Sequence, residues 1–255
     1  MQNVRLERPD LEFDLYCEWG RHAVERYSGL FEVTVIVDVL SFSTCVDISV
    51  SLGAAVFPWP QTKLGADALA ERIGGRAVGL RGTESLSLSP ASMTTLKRGE
   101  RAVLPSPNGA ALTLLSRSPT TIAACLRNAK AVADWISRRG ARVLIVPSGE
   151  AWPDGRLRPA LEDWLGAGAI VSGLADRVIC PEAGAAATAF RAASVDMRGS
   201  LLRCYSGREL VMRGYSADVD LAAELNVSCE VPILDQLSAP GFEAAPYYRS
   251  YAGSG

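Results

Sequence analysis

The segment VTVIVDVLSFSTC, residues 33–45, decides the fold because it changes from an apolar run to a polar turn. Its first five residues have the pattern of a strand buried on both faces of a parallel sheet, and Asp38 follows at the carboxyl end of that strand. Hydroxyl residues then favour the start of a helix that ends at about residue 52. These residues are Ser41, Ser43 and Thr44. The segment therefore predicts the strand, turn and helix of an α/β protein.

A turn of this kind can bind charged groups. The N-terminus of a helix presents free N–H groups and the positive end of a dipole, which attract phosphate. A carboxylate at a strand end attracts a divalent cation. Asp, Ser and Thr also occur in such turns simply as helix caps, so the segment alone leaves both interpretations open.

The same pattern recurs at three later strands, residues 101–104, 121–126 and 143–146. Each is followed by small or polar residues and then by a helical pattern. These residues are Asn108 and Gly109, Arg127 and Asn128, and Gly149 and Glu150. Ligands of open parallel sheets bind in the crevice outside the carboxyl ends of the strands, so these turns are expected to face one common space.

The regular alternation of strands and helices predicts an α/β fold class. The chain has 255 residues, 48% of them hydrophobic, and shows no linker of low complexity, so residues 1–255 are expected to form a single domain. A last strand is predicted over residues 227–231. Residues 238–255, with their prolines and paired tyrosines, are expected to form an irregular tail.

Composition excludes several classes of protein. The net charge is −2 without a basic stripe, which argues against nucleic acid as a partner. No apolar run reaches membrane-spanning length, and a secretion signal is not evident, so we expect no membrane partner and a soluble, cytoplasmic protein. The single histidine, His22, excludes a histidine-rich metal site.

Four motifs resemble, in order, those of the 2-phosphosulfolactate phosphatase (ComB) family: VIVDVLSFST, PNGA, CLRNA and LEDWLGAGAI. The resemblance covers roughly residues 31–190. It implies a three-layer α/β/α fold with a mainly parallel or mixed central sheet. It also implies a Mg²⁺-dependent phosphatase whose substrate is a small, phosphorylated, anionic molecule.

The chain departs from this family where substrate anions are expected to bind. The family pattern DVLRAST has an arginine at the position of Ser41, and a glutamate of the family is replaced near Leu80. A guanidinium binds carboxylate or sulfonate through paired hydrogen bonds, whereas serine offers one neutral donor. The resemblance therefore predicts the type of reaction and leaves the natural substrate open.

The resemblance makes Asp38, Glu162 and Asp163 candidate metal ligands, with oxygen atoms of the kind that Mg²⁺ prefers. Neighbouring residues on a helix point about 100° apart, so only one of Glu162 and Asp163 is expected to bind the ion directly. Two alternatives remain open. The acidic pair could simply stabilise a helix start, and Asp38 could be a nucleophile that forms an acyl phosphate.

The remaining candidate residues fall into three groups. The phosphate-binding candidates are Ser43, Thr44, Asn108, Gly109 and Asn128. The candidates for binding a second anion of the substrate are Ser41, Arg81, Arg127 and Arg158. The catalytic candidates are Asp38, Asp163 and Glu150, the last as a group that orients water or protonates a leaving oxygen.

Two functions follow from these observations. The first is a Mg²⁺-dependent phosphohydrolase that cleaves a small phosphorylated acid. The alternative is a non-catalytic protein that binds an anionic metabolite and has kept the fold while losing charged groups. The apolar helices predicted after Pro181 further suggest a possible homodimer.

Overall fold

The computed structural model describes residues 12–60, 65–82, 84–237 and 245–251. The strands are β1 (Leu15–Cys17), β2 (Val33–Val37), β3 (Ala55–Trp59), β4 (Arg76–Ala77), β5 (Arg101–Pro105), β6 (Thr120–Ala124), β7 (Val143–Pro147), β8 (Glu150–Ala151), β9 (Leu157–Arg158), β10 (Pro232–Leu237) and β11 (Ala245–Ser250). The α-helices are α1 (Gly20–Tyr27), α2 (Phe42–Ser51), α3 (Ala66–Ile73), α4 (Pro90–Met93), α5 (Gly109–Leu115), α6 (Ala129–Arg139), α7 (Leu161–Ser172), α8 (Pro181–Ala193), α9 (Met197–Arg203), α10 (Tyr205–Met212) and α11 (Ser216–Ala222). Short 3-10 helices cover Ser28–Leu30 and Ser194–Asp196.

Nine of these strands form one mixed sheet in the order β1-β7-β2-β6-β10-β11-β3-β5-β4. Strands β1, β7, β2 and β6 are parallel to one another, and so are β3, β5 and β4. The antiparallel pair of β10 and β11 lies between these two parallel halves. It pairs with each half through a single pair of residues, Ile233 with Ile122 and Tyr248 with Val56. The mixed sheet confirms the predicted fold class.

Helices cover both faces of the sheet. Strand β2 has all five residues buried. Val35 packs with residues of α6, α7 and α8, whereas its neighbour Ile36 packs with residues of α1 and α5 on the opposite face. In the other half of the sheet, Val56 packs with α2 and α4, and Phe57 packs with α3. Because successive side chains of a strand point to opposite faces, these contacts define three layers, as expected.

The prediction for the end of the chain is wrong in part. Residues 238–255 were expected to be irregular, but Ala245–Ser250 is strand β11, inside the central sheet. Prolines remove a donor from a strand ladder and so argued against a strand here. The burial of Tyr248, which is 0% exposed and whose hydroxyl lies 2.8 Å from Thr113 Oγ1, outweighs that cost. The neighbouring residues 238–244 and 252–255 lie outside the described residues.

The strand predicted over residues 227–231 is also shifted. The strand begins at Pro232, directly after that segment. Proline is tolerated as the first residue of a strand, where its missing N–H need not pair. The segment before it instead bonds to the turn after β6, since Ser228 N donates to Arg127 O at 3.0 Å.

Helices α8 to α11 form the helix-rich segment predicted after Pro181. The two long helices α7 and α8 pack closely because Gly168 has no side chain, and a Cβ there would lie 2.1 Å from Ala186 O. Helix α11 packs against α4 and α9. Within the described ranges, a helix with the length and apolar character needed to cross a membrane is not found.

Candidate active site

A cavity of about 370 Å³ opens at the carboxyl ends of the parallel strands. The turns after β2, β5 and β7 contribute Asp38, Asn108 and Glu150 to its walls. Its rim is formed by the β8–β9 hairpin and by α10. Residues of the rim include Trp152, Arg158, Tyr205, Glu209 and Arg213. The cavity therefore gathers polar side chains from both parallel halves of the sheet.

The carboxylate of Asp38 is fixed by two backbone amides. Its Oδ1 accepts a hydrogen bond from Phe42 N at 3.1 Å, and its Oδ2 accepts one from Gly109 N at 2.9 Å. A Cβ at Gly109 would lie 2.4 Å from Phe42 Cδ1 and 2.7 Å from Asp38 Oδ2. Only glycine therefore allows α5 to start this close to the carboxylate.

Asp163, in the first turn of α7, is held in the same way. Its Oδ1 accepts from Val39 N at 2.8 Å and its Oδ2 from Gly149 N at 2.9 Å. Asp163 is 3% exposed and does not line the cavity. It thus ties together the turns after β2 and β7, the two turns that carry Asp38 and Glu150.

Glu162, also in the first turn of α7, is buried and does not line the cavity. Among the described side chains, its Oε2 is one of the few buried polar atoms without a hydrogen-bond partner. Burial, together with the charges of neighbouring carboxylates, raises the pKa of Asp38 and that of Asp163 above their ordinary values, with Glu162 as one of these neighbours. These buried carboxyl groups therefore hold protons more readily than exposed ones.

The carboxylates do not form a closed metal cage. In the part of the chain that the structure describes, no three His, Cys, Asp or Glu side chains are placed to share one ion. Mg²⁺ takes one or two protein carboxylates and keeps water and phosphate in its other positions, so a closed cage is not required. The Oε2 of Glu162 that lacks a hydrogen-bond partner and the carboxylate oxygens of Asp38 at the cavity are donors of the type that fits such an ion.

Glu150 lies across the cavity from these groups and has a partner of its own. Asn108 Nδ2 donates to Glu150 Oε2 at 2.9 Å. Burial first, and then the charge of Asp38, raise the pKa of Glu150 to about 7, while the hydrogen bond from Asn108 opposes the rise. Near neutral pH this carboxyl group can therefore hold or release a proton.

Two of the arginines predicted to bind a second anion line the cavity. Arg81 Nη2 donates to Ser41 Oγ at 2.7 Å, and Arg81 Nε donates to Asp218 Oδ2 at 3.0 Å. Arg158 Nη2 donates to Ser206 Oγ at 3.0 Å, and its guanidinium lies 4.5 Å from the centre of the Tyr205 ring. Both cations are thus held in place at the cavity wall.

Four other candidates lie elsewhere. The side chain of Ser43 bonds to backbone atoms of β2 and Asp38, and Thr44 Oγ1 donates to Val39 O. Asn128 caps the turn before α6, accepting from Cys125 N and donating to Ala123 O. Arg127 is paired with buried Asp47 and with Glu224. These side chains build the turns and do not line the cavity.

The structure adds cavity residues that were not predicted. Ser106, Tyr205 and Arg213 line it. Ser106 is the first residue after β5, so the strand-end pattern contained the signal for it. Tyr205 and Arg213 come from the C-terminal helices, and no spacing in the sequence relates them to the strand ends.

Comparison with known proteins gives the family. The family model described as 2-phosphosulpholactate phosphatase matches residues 22–236. A relative from Carboxydothermus hydrogenoformans, described as a probable 2-phosphosulfolactate phosphatase, is 31% identical over 211 residues, which is 79% of this chain and 85% of that protein. Both matches support the expected enzyme class, a phosphoric monoester hydrolase. The chain belongs to the 2-phosphosulpholactate phosphatase family.

Proposed function

We propose that this protein is a Mg²⁺-dependent phosphatase that hydrolyses a small phosphorylated acid. The observation that carries the proposal is the hydrogen bond from Gly109 N to Asp38 Oδ2, 2.9 Å long. It brings the turn after β2 and the start of α5 to one cavity, which is lined by acidic side chains and two of the predicted arginines. Family membership supplies the type of reaction.

The cavity favours a substrate with more than one negative charge. Arg81 and Arg158 both line it and both are fixed by hydrogen bonds. A guanidinium recognises phosphate, carboxylate and sulfonate alike through parallel N–H groups. The name of the Carboxydothermus relative makes 2-phosphosulfolactate the first substrate to test. Because Ser41 replaces the family arginine, other phosphorylated acids are the next substrates to test.

Asp38 and Glu162 would hold the Mg²⁺ ion. Asp38 lines the cavity, and Glu162, whose charge acts on Asp38, has a buried Oε2 without a hydrogen-bond partner. When bound, the ion supplies neutralisation of the charge on the phosphoryl oxygens and lowers the pKa of a coordinated water. Asp163, like Asp38, has both oxygens on backbone amides, but it does not line the cavity, so its role is to fix the turns that present Asp38 and Glu150.

Glu150 is proposed as the general acid. Its Oε2 accepts from Asn108, which leaves Oε1 as the atom that carries the proton. With its pKa raised to about 7, Glu150 is protonated in a large fraction of molecules at neutral pH and can donate from Oε1 to the leaving oxygen. The guanidinium of Arg81 stabilises negative charge on the substrate at the same time.

Phosphate release from a panel of phosphate monoesters tests the proposal. The panel contains 2-phosphosulfolactate, other phosphorylated acids and phosphorylated alcohols that have no second anionic group, each with Mg²⁺ and with EDTA. We expect turnover of the acids with Mg²⁺ and little turnover with EDTA. Absence of turnover across the panel, or equal rates in EDTA, would contradict the proposal.

A further inference from the structure

Helix α11 carries a buried carboxylate that does not line the cavity but bonds to Arg81, which does. We propose that this residue, Asp218, is a positioning residue that holds Arg81 in the orientation needed to bind the anionic substrate. The inference rests on the proposed function, because it assigns Arg81 to substrate binding. It extends the site to α11, in the C-terminal part of the chain.

Both oxygens of Asp218 are engaged. Oδ1 accepts from Ser89 Oγ at 2.5 Å and from Ala91 N at 3.1 Å. Oδ2 accepts from Arg81 Nε at 3.0 Å. Asp218 is 1% exposed. The carboxylate therefore has one orientation, fixed by the start of α4.

Arg81 is held on three sides. Its Nε bonds to Asp218, its Nη2 bonds to Ser41 Oγ at 2.7 Å, and its guanidinium lies 5.7 Å from the centre of the Tyr215 ring. Arg81 lines the cavity, whereas Asp218 does not. Two of the guanidinium N–H groups are used in these bonds, so the others remain available to an anion.

Fixing Arg81 in advance should strengthen anion binding. A free arginine side chain loses much rotamer freedom when it binds a ligand, and that loss weakens affinity. Here Asp218 removes the freedom during folding. Asp218 also sets the direction of the guanidinium. Because Arg81 Nε bonds to Asp218, this bond determines which edge of the planar guanidinium faces Ser41 and the cavity.

A second buried pair supplies a matched control. Arg127 Nε bonds to Asp47 Oδ2 at 2.9 Å, with side-chain exposures of 12% and 0%. The corresponding values for Arg81 and Asp218 are 12% and 1%, at 3.0 Å. Arg81 reaches the C-terminal part of the chain through Asp218 itself, whereas Asp47 lies on α2 and Arg127 reaches that part through Leu221 O and Glu224. Arg127 and Asp47 do not line the cavity, so the two pairs differ mainly in their relation to it.

The test compares Asp218→Asn with Asp47→Asn in the full chain. Two quantities are measured, the Kd of inorganic phosphate by calorimetry and the KM and kcat for the best substrate of the panel. For Asp218→Asn we expect KM and Kd to rise about 10-fold, with kcat changed less than about 3-fold. For Asp47→Asn both constants should stay within about 2-fold of the wild type. Arg81→Ala should weaken binding at least as much, and adding Asp218→Asn to it should weaken binding no further.

The inference is overturned if Asp218→Asn and Asp47→Asn change KM and Kd equally, or if the Asp218 and Arg81 effects add in the double variant. If Asp218→Asn does not fold, Ser89→Ala removes one bond to the same carboxylate, and an unchanged Kd there counts equally against the inference. A wild type that binds phosphate but hydrolyses nothing refutes the proposed function alone, since the phosphate Kd values still decide the role of Asp218. A wild type that does not bind phosphate refutes both.

Discussion

Gly109 N donates to Asp38 Oδ2 at 2.9 Å, although strands β6, β10, β11 and β3 lie between the strands that precede these two residues. The bond joins the start of α5, which follows β5, to the turn after β2. Asp38 therefore follows a strand of one half of the sheet and is bonded to the helix that follows a strand of the other half. A change on either side of this bond should act on the same cavity.

Asp38→Asn should remove most of the phosphatase activity. The amide has one oxygen, so its NH₂ group would face either Phe42 N or Gly109 N, donor against donor, and the charge that attracts the ion would be lost. We expect kcat to fall by about 100-fold or more. Phosphate release at saturating Mg²⁺ measures it. Asp47→Asn, a buried carboxylate outside the cavity, is the control. If the kcat of Asp38→Asn stays within about 10-fold of the control, Asp38 acts only as a structural cap.

Glu150→Gln should change the pH dependence of kcat. If Glu150 donates a proton, kcat of the wild type falls as pH rises through about 7. This falling limb of the pH profile should be absent in Glu150→Gln, whose kcat should also be lower than that of the wild type. Profiles of kcat from pH 5 to 9, about two units on either side of the expected pKa, measure this dependence.

Asn108→Ala provides the companion test for Glu150. The hydrogen bond from Asn108 favours the charged carboxylate, so its loss should raise the pKa of Glu150 further and move the limb to higher pH. An identical limb in Glu150→Gln, or a shift to lower pH in Asn108→Ala, would assign the proton to another group.

The raised carboxyl pKa values predict that the protein without metal is more stable in mild acid. Burial raises the pKa of Glu150 from 4.5 to about 7 and also raises those of Asp38 and Asp163. A raised folded-state pKa gives stability that is complete below the unfolded value and is lost as pH rises through the folded value. Between pH 4.5 and 7.5 the contribution of Glu150 should fall by about 3 kcal/mol. Urea unfolding in EDTA measures it.

Two comparisons check the origin of this pH dependence. Glu150→Gln should lose stability less steeply over the same pH range, because its amide does not ionise. Mg²⁺ should stabilise the wild type more at pH 7.5 than at pH 4.5, since the ion binds ionised carboxylates. Equal slopes for the two proteins in EDTA would mean that Glu150 is not the group responsible.

Gly109→Ala should disturb the cavity. The added Cβ would lie 2.4 Å from Phe42 Cδ1 and 2.7 Å from Asp38 Oδ2, so α5 must move away from Asp38. We expect a loss of about 2 kcal/mol in unfolding free energy and a fall in kcat of about 10-fold or more. Gly184→Ala is the control, because it adds the same methyl group in helix α8 with the nearest atom at 3.8 Å. That change should be neutral or stabilise by about 0.5 kcal/mol. Equal losses in both variants would contradict the close approach at Gly109.

The sequence predicted the features of this protein that depend on local pattern. Val33–Val37 is a buried strand because its apolar run leaves no polar face, and Asp38 and Gly109 meet because carboxyl ends of parallel strands share one edge. The side chain of Asn128 was expected to bind phosphate, yet it bonds to the backbone of its own turn. Sequence alone does not distinguish a cap from a ligand site, because both use the same residue types.

Long-range contacts were beyond the reach of sequence pattern. Asp218 is separated from Arg81 by 137 positions, and nothing near either residue marks them as partners. Likewise, Tyr248 lies in a segment rich in proline, where the local signal opposes a strand. Its buried ring and the bond of its hydroxyl to Thr113 come from tertiary packing, which local propensity does not record.

The position of β11 has a consequence for biosynthesis. Nascent chains emerge with their amino-terminal residues first, and both parallel halves of the sheet precede residue 148. The two strands that join them, Pro232–Leu237 and Ala245–Ser250, emerge far later. Until then β6 and β3 each present an open edge, and open edges invite pairing with other chains. The growing polypeptide should therefore be prone to aggregation, and dependent on chaperones, until Ser250 has left the ribosome.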